Sequence, residues 1–329
     1  MKTFFKNIFL FSTVLVVLLG SLLLIMHIIQ KNSYKVNYRV ENKIKNFTLD
    51  SKKLNILIAG DSRAEQQLIP KIFEEQYGYN SFNIATNSCD LVSTVASINK
   101  HYVNSKDKIL FIISSSSAQI NDGAVDFGYL SYIALTKLTL EEKLKLYKGR
   151  YVDLFTLIRR NTIEDIVSKF NLNPLSNEVI NNKGVKFVDG ELQTNLPYTN
   201  QELNNHQWYK NISVNGYRKR IFKEAFHILG NMQHQFIIMQ PPVSPYFRKA
   251  IKGTPIEQME KEYSLLLGNL AKEFDNIEIL DYYINDIKEL ENNMYYDSQH
   301  LNKDGALIFS KLVSKEIKNI LMTLNVLYD

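Results

Sequence analysis

A serine, an aspartate and a histidine stand out in this chain by their types and spacing. Ser62 closes the tripeptide Gly60-Asp61-Ser62, directly after the apolar run Leu54–Ala59. Far downstream, Asp297 stands three residues before His300 in Tyr296-Asp-Ser-Gln-His-Leu-Asn302. A serine hydroxyl is a weak nucleophile until a neighbouring base takes its proton. An imidazole can do so when a carboxylate accepts its Nδ1–H, which fixes the tautomer and stabilises the imidazolium. The Asp-x-x-His spacing lets one loop supply both groups, leaving the other ring nitrogen to face a serine. Such a trio performs acyl transfer through an acyl-serine. Taken alone, Asp61 and Ser62 read as a helix N-cap; together with Asp297 and His300 they read as catalytic.

These residues must be brought together by the elements around them. Short apolar runs predict five strands: Leu54–Ala59, Ser81–Ala85, Lys108–Ile113, Gln235–Gln240 and Ile277–Asp281. Helical patterns alternate with them at Gln66–Tyr77, Leu91–Val103, Ile256–Phe274 and Lys303 to about Leu324, and a further one near Tyr217–Leu229 ends the long stretch before the fourth strand. In the last, Ala306, Phe309, Val313, Ile317 and Leu321 follow helical spacing. Alternation of this kind predicts an α/β fold, a parallel sheet with helices on both faces. Function then gathers at the C-terminal ends of the strands, where Gly60-Asp61-Ser62, the Asn87-Ser88 turn, the serines 114–117 and Pro241-Pro242 all fall. Residues 118–234 are too long for a crossover and are expected to form a helical insertion. Within it lie helical patterns at Leu140–Tyr147, Leu154–Arg160 and Ile163–Phe170, and a polar stretch from Asn171 to Asn205.

GDS after the first strand, with D-x-x-H-L-N before the last helix, resembles the SGNH (GDSL-type) hydrolase superfamily. The continuation His300-Leu-Asn-Lys-Asp-Gly-Ala306, with Phe309 and Ser310, is similar to its membrane-anchored, envelope-associated branch of DltD-like proteins. The resemblance covers about Leu54 to Leu324, without the insertion. It implies a flavodoxin-like three-layer sheet, with Ser62 as nucleophile, His300 as general base and then acid, and Asp297 as its orienter. It also implies an oxyanion hole from the serine backbone N–H, a glycine N–H after strand two and an asparagine after strand three. This chain departs at the last two. Asn87 or Ser88 falls at the glycine position, and the serine run, with Ser116 or Ser117, at the asparagine position. The expected donors are therefore the Ser62 backbone, Ser88 and Ser117. A lost donor typically slows such reactions by about 10²–10³. Gly60-Asp-Ser-Arg-Ala64 also approaches G-x-S-x-G, but an α/β-hydrolase has several strands before its nucleophile.

Asp61, Tyr246 and Arg248 are the residues expected beside substrate, though Pro241–Arg248 also reads simply as a rigid turn. Cys89 is the single cysteine of the chain, which excludes an intramolecular disulfide and a cysteine-based zinc site. It reads as a small buried apolar residue. No metal-ligand spacing is seen among the histidines, and no metal or organic cofactor is expected, because the trio is self-sufficient.

The N-terminal run Ile8–Ile29 carries no charged residue and is long enough to span a bilayer as a helix. No small-x-small cleavage site follows it, so an uncleaved signal anchor over residues 8–30 is expected, after a short tail 1–7. A basic linker, 31–53, precedes an SGNH-like domain at 54–329. Residues Lys31–Gly60 hold seven Lys/Arg against two acids, and Asp61–Asp329 has a net charge of −2. The body thus lacks the clustered basic surface of a nucleic-acid binder. Lys31, Lys35 and Arg39 after the helix, against Lys2 and Lys6 before it, favour a cytoplasmic body by charge count alone. The anchor instead makes an acylated surface glycan or lipid-linked acceptor the expected substrate. That places the body outside the cytoplasm, with a membrane-bound O-acyltransferase as a partner implied by the resemblance. The rival reading is a non-catalytic binding component of an envelope polysaccharide system.

Overall fold

The computed structural model of the 329-residue chain describes residues 4, 7, 9–18, 20–21, 40, 42–87, 89–117, 183, 185–186, 217–283 and 287–323. Five strands form one sheet: β1 (Asn55–Ala59), β2 (Asn80–Asn83), β3 (Ile109–Ser114), β4 (Gln235–Gln240) and β5 (Ile277–Asp281). Their order is β2-β1-β3-β4-β5 and every pairing is parallel. The helices are α1 (Ser62–Gln67), α2 (Pro70–Tyr77), α3 (Leu91–Tyr102), α4 (Tyr217–Gly230), α5 (Pro245–Ile251), α6 (Pro255–Ala271) and α7 (Lys303–Thr323).

The central strands are continuously apolar because both of their faces are buried. Leu57, Ile109, Phe111, Ile113, Phe236 and Ile238 pack on one face with α3, α4 and α6. Ile56, Ile58, Leu110, Ile112, Ile237 and Met239 pack on the other with α1, α2 and α7. The three layers expected from the sequence are therefore present. Chain order reverses at β1, whose neighbours β2 and β3 are the next two strands in sequence. In open α/β sheets the crevice at such a point receives ligands.

Three stretches differ from the reading of the sequence. The single helix expected over Gln66–Tyr77 is two, broken at Leu68-Ile69. Proline disfavours helical geometry in the residue before it, and Pro70 follows Ile69. The expected rigid turn at Pro241–Arg248 ends in α5, started by Pro245 and capped by the Ser244 side chain, which accepts from Phe247 N. The third difference lies in the basic linker. Its end belongs to the body: Val40, Lys43 and Ile44 are buried, and Phe47 packs on Phe82 at 5.5 Å between ring centroids.

Of the expected insertion, the last helix is corrected: α4 packs Phe222, Phe226 and Leu229 into the sheet core and so belongs to the α/β body. The insertion helices expected at Leu140–Tyr147, Leu154–Arg160 and Ile163–Phe170 lie outside the described residues. Of that region, Val185 is buried, Lys183 O accepts from Asn83 N, and Lys186 N donates to Glu65 O. Near the N-terminus, the described residues 9–18, 20 and 21 are helical and exposed, Phe9 at 75%. Among the described residues no helix is long and apolar enough to cross a membrane; the run 8–30 is described only in part.

Candidate active site

Ser62 opens α1, and the turn that delivers it is fixed by β3. Gly60 has φ +114°, and a Cβ there would sit 2.8 Å from Ser114 O and 2.9 Å from Ser114 N. Only glycine allows both that backbone angle and that approach. Asp61 caps α1 by accepting from Arg63 N at 3.0 Å. Its carboxylate also takes Arg63 Nη2 at 2.9 Å and Ser114 Oγ at 2.7 Å, while Asp61 N donates back to Ser114 Oγ. Burial pushes this carboxyl up, but Arg63 and the Ser114 hydroxyl outweigh it and hold it below the usual range. The expectation that Asp61 lies against substrate is corrected on this ground: its oxygens are engaged within the protein, and it shapes the turn.

His300 arrives from the loop before α7. The loop closes on itself: Tyr296 N donates to His300 O at 2.8 Å, and Tyr295 bridges Leu301. Asn302 caps α7, its Oδ1 accepting from Gly305 N at 3.0 Å, and its N–H donates to Met294 O. Gly305 carries no Cβ where one would collide with Met294 O. Outside the loop, Gln67 Nε2 donates to Gln299 O at 2.8 Å and Ser244 N donates to Ser298 O at 3.0 Å. The Gln67 bond ties the serine-bearing helix to the histidine-bearing loop.

The structure brings the three expected residues together. His300 Nε2 stands 2.8 Å from Ser62 Oγ. His300 Nδ1 stands 2.8 Å from Asp297 Oδ2 and 3.0 Å from Oδ1. Asp297 Oδ1 also accepts the N–H groups of Gln299 and His300, each at 2.8 Å. Burial pushes the Asp297 carboxyl up, but the His300 ring and these two amides outweigh it and keep the carboxyl ionised below the usual range. An ionised Asp297 makes His300 Nδ1 the donor, leaving Nε2 with a lone pair toward Ser62.

The rest of the expected site is placed differently. Ser117 is buried and its hydroxyl donates to Glu260 Oε1 at 2.5 Å. It is turned into the protein, away from an oxyanion role, and that expectation is corrected. Ser115 bonds Tyr263 OH, and Ser116 between them is half-exposed. Ser88 lies outside the described residues, and its neighbour Asn87 donates its N–H to Glu65 Oε2 at 2.9 Å. Tyr246 and Arg248 are half-buried on α5 at the rim, where Tyr246 N donates to Asn292 Oδ1. Cys89 is buried and burial pushes its thiol up, so it is no thiolate nucleophile. Among the described residues no group of three or more His, Cys, Asp or Glu is placed to hold a metal. Sequence reading missed Gln67, Ser114, Glu65 and Glu260, which act across long separations and carry no local motif.

Fold and site together define an α/β protein carrying a hydrogen-bonded serine, histidine and aspartate at the topological switch of a parallel sheet. The chain is similar to solved structures of lipolytic and acyl hydrolases. One is a member of the lipolytic protein G-D-S-L family from Veillonella parvula, with a TM-score of 0.40 and 11% identity over 78% of this chain and 94% of that one. Another is a candidate acylhydrolase from Bacteroides fragilis, with a TM-score of 0.35 and 12% identity over 86% and 95%. A carbohydrate esterase has a TM-score of 0.35 and 9% identity over 83% and 67%. No family profile and no curated protein matches the sequence.

Proposed function

We propose that this protein is a serine esterase or O-acyltransferase of the SGNH type. In this reading it is held at a membrane by its N-terminal helix and acts on an ester-linked acyl group of an envelope glycan or lipid-linked acceptor. The observation that carries the catalytic part is the 2.8 Å approach of Ser62 Oγ to His300 Nε2, with Asp297 on the far nitrogen. His300 takes the Ser62 proton as Oγ attacks the acyl carbonyl. The tetrahedral oxyanion collapses, the leaving oxygen receives that proton from His300, and acyl-Ser62 remains. His300 then deprotonates water, in a hydrolase, or an acceptor hydroxyl, in a transferase.

Two donors for the oxyanion follow from position. One is the Ser62 N–H, at the start of α1. The other is Ser116: β1 and β3 pair Ala59 with Ile113, and Ser116 lies three residues past Ile113 as Ser62 lies three past Ala59. The membrane part rests on the uncharged run 8–30 and the exposure of its described apolar side chains. A DltD-like role beside a membrane-bound O-acyltransferase, with the body outside the cytoplasm, extends the same reading.

The test is labelling of the full chain by a serine-reactive fluorophosphonate, beside Ser62→Ala and His300→Ala. Labelling lost in both variants is the expected result. A folded wild-type chain that stays unlabelled favours the rival reading, a non-catalytic binding component. That rival has its own support in the engagement of Ser117 by Glu260 and of the Asn87 N–H by Glu65.

A further inference from the structure

Lys43 lies in the segment between the N-terminal apolar run and β1, yet its side chain is 1% exposed. Its Nζ donates to Glu65 Oε1 at 2.9 Å and to Ala85 O. Glu65 stands three residues after Ser62 on α1, and its other oxygen takes the Asn87 N–H at 2.9 Å. Its backbone oxygen accepts from Lys186 N, and its N–H donates to Asp61 O. One ammonium therefore holds α1 on one side and the loop after β2 on the other. The first part of that loop is tied to β1, with Ile84 N and Ala85 N donating to Ile58 O and Thr86 N to Gly60 O; Asn87 is tied to Glu65, which Lys43 holds.

The segment that carries Lys43 is docked. Val40 and Ile44 join the core with Phe82, Leu91 and Val95, and the chain then runs down to the start of β1. There Asp50 N bonds Asn55 Oδ1 and Asn80 Nδ2 bonds Thr48 O. A lysine is almost never fully buried without a partner, and removing one member of a buried pair leaves the other as a costly unpaired charge.

We propose that Lys43 is a positioning residue for the Ser62 site, through which the segment following the N-terminal helix sets the loop after β2 against the nucleophile. The catalytic side of this inference rests on the acyl-transfer reading. The structural side, a loop held from outside its own sequence, does not. The experiment separates the two and uses the full chain, with p-nitrophenyl acetate as substrate.

Lys43→Met should lower kcat about 10–100-fold with KM within about twofold, since a displacement of about 1 Å in a site costs on that order. It should also lower the melting temperature, because Glu65 is left as an unpaired buried charge. Lys43→Met/Glu65→Leu removes that charge, so its melting temperature should recover while kcat stays low. A kcat that recovers together with the melting temperature overturns the proposal, since Lys43 would then be merely stabilising. Hydrogen exchange gives a reading without activity. The peptide Ile84–Asp90 should exchange about 10-fold faster or more in Lys43→Met, with Ile109–Ser114 unchanged. Equal exchange in this peptide overturns the proposal. Faster exchange in a chain whose wild type takes no fluorophosphonate overturns the catalytic reading alone and keeps the brace. Lys71→Met, from the exposed Lys71–Glu75 pair, is the control and should change none of these readouts.

Discussion

The two halves of the site are built in opposite ways. The acid–base half comes from one short stretch, Tyr295–Asn302, which bonds to itself and supplies Asp297 and His300 together. The half proposed to face an oxyanion is assembled from remote parts. Lys43 and Glu65 hold Asn87, Asp61 holds Ser114, and Glu260 on α6 holds Ser117. A local half depends on spacing along the chain and survives changes elsewhere. A half assembled at long range depends on the packing of several elements and yields to any of them. The difference predicts where substitutions act on chemistry and where they act through structure.

The largest effect should come from the local half. Asp297→Asn keeps an oxygen for the Gln299 and His300 amides but no longer holds the His300 tautomer. The expected result is a fall in kcat of about 10³–10⁴ with little change in stability, as for the equivalent change in a Ser-His-Asp triad. Steady-state kinetics with p-nitrophenyl acetate and a thermal melt check it. A variant with near wild-type kcat would show that His300 acts without Asp297, and the acid–base half would lose its claim to be complete.

The same contrast explains what could be read from the sequence. The strands follow from short apolar runs, continuous where both faces are buried as in β1 and β3, so Ile56, Phe111 and Ile238 announce themselves by type alone, and the parallel pairing follows from the alternation with helices. The Asp297–His300 pair is legible because only two residues separate its members. Ser117 was assigned to the oxyanion because a run of four serines gives no sign of which side chain faces out. The structure buries three of them, Ser114 on Asp61, Ser115 on Tyr263 and Ser117 on Glu260, and leaves Ser116 half-buried. Tyr263 and Glu260 are about 145 residues away on α6, and no spacing rule reaches that far. Lys43 was hidden for a related reason: a lysine in a basic stretch reads as solvated until the fold shows the carboxylate it meets. The helix break before Pro70 is legible from proline chemistry, which disfavours helical geometry at Ile69.

The serine run offers the next test. Ser116→Ala should reduce kcat by about 10²-fold, the lower end for loss of one oxyanion donor, with the melting temperature unchanged. Ser117→Ala should do the reverse. Its loss takes the Ser117 hydroxyl from the Glu260 carboxyl, which costs about 1–3 kcal/mol of stability, while kcat per folded molecule holds. Denaturant unfolding alongside kinetics separates the two. If the roles came out exchanged, the outward position of Ser116 would not be the one that faces substrate.

A pH-resolved test isolates the anchor of that serine. Burial pushes the Glu260 carboxyl up to about 7, with the Ser117 hydroxyl and the Arg63 charge pulling the other way. Its ordinary value is 4.5. Below that pH both folded and unfolded chains carry the proton and nothing is lost. Between 4.5 and about 7 the unfolded chain gives up its proton while the folded chain keeps it. The unfolded state then binds fewer protons, so stability falls as pH rises through this window. Above it the loss amounts to about 3 kcal/mol at roughly 1.4 kcal/mol per unit. Glu260→Gln has no proton to lose and keeps an oxygen for Ser117. Urea unfolding at pH 5 and pH 8 should give nearly equal stability to variant and wild type at the lower pH, and a more stable variant at the higher. Asp61 and Asp297 push the opposite way in both proteins and cancel from the difference. A difference that does not change with pH would mean Glu260 is solvated in the folded protein. Ser117 would then have no buried partner to turn it inward, and the remote half of the site would have to be held by Lys43 and Asp61 alone.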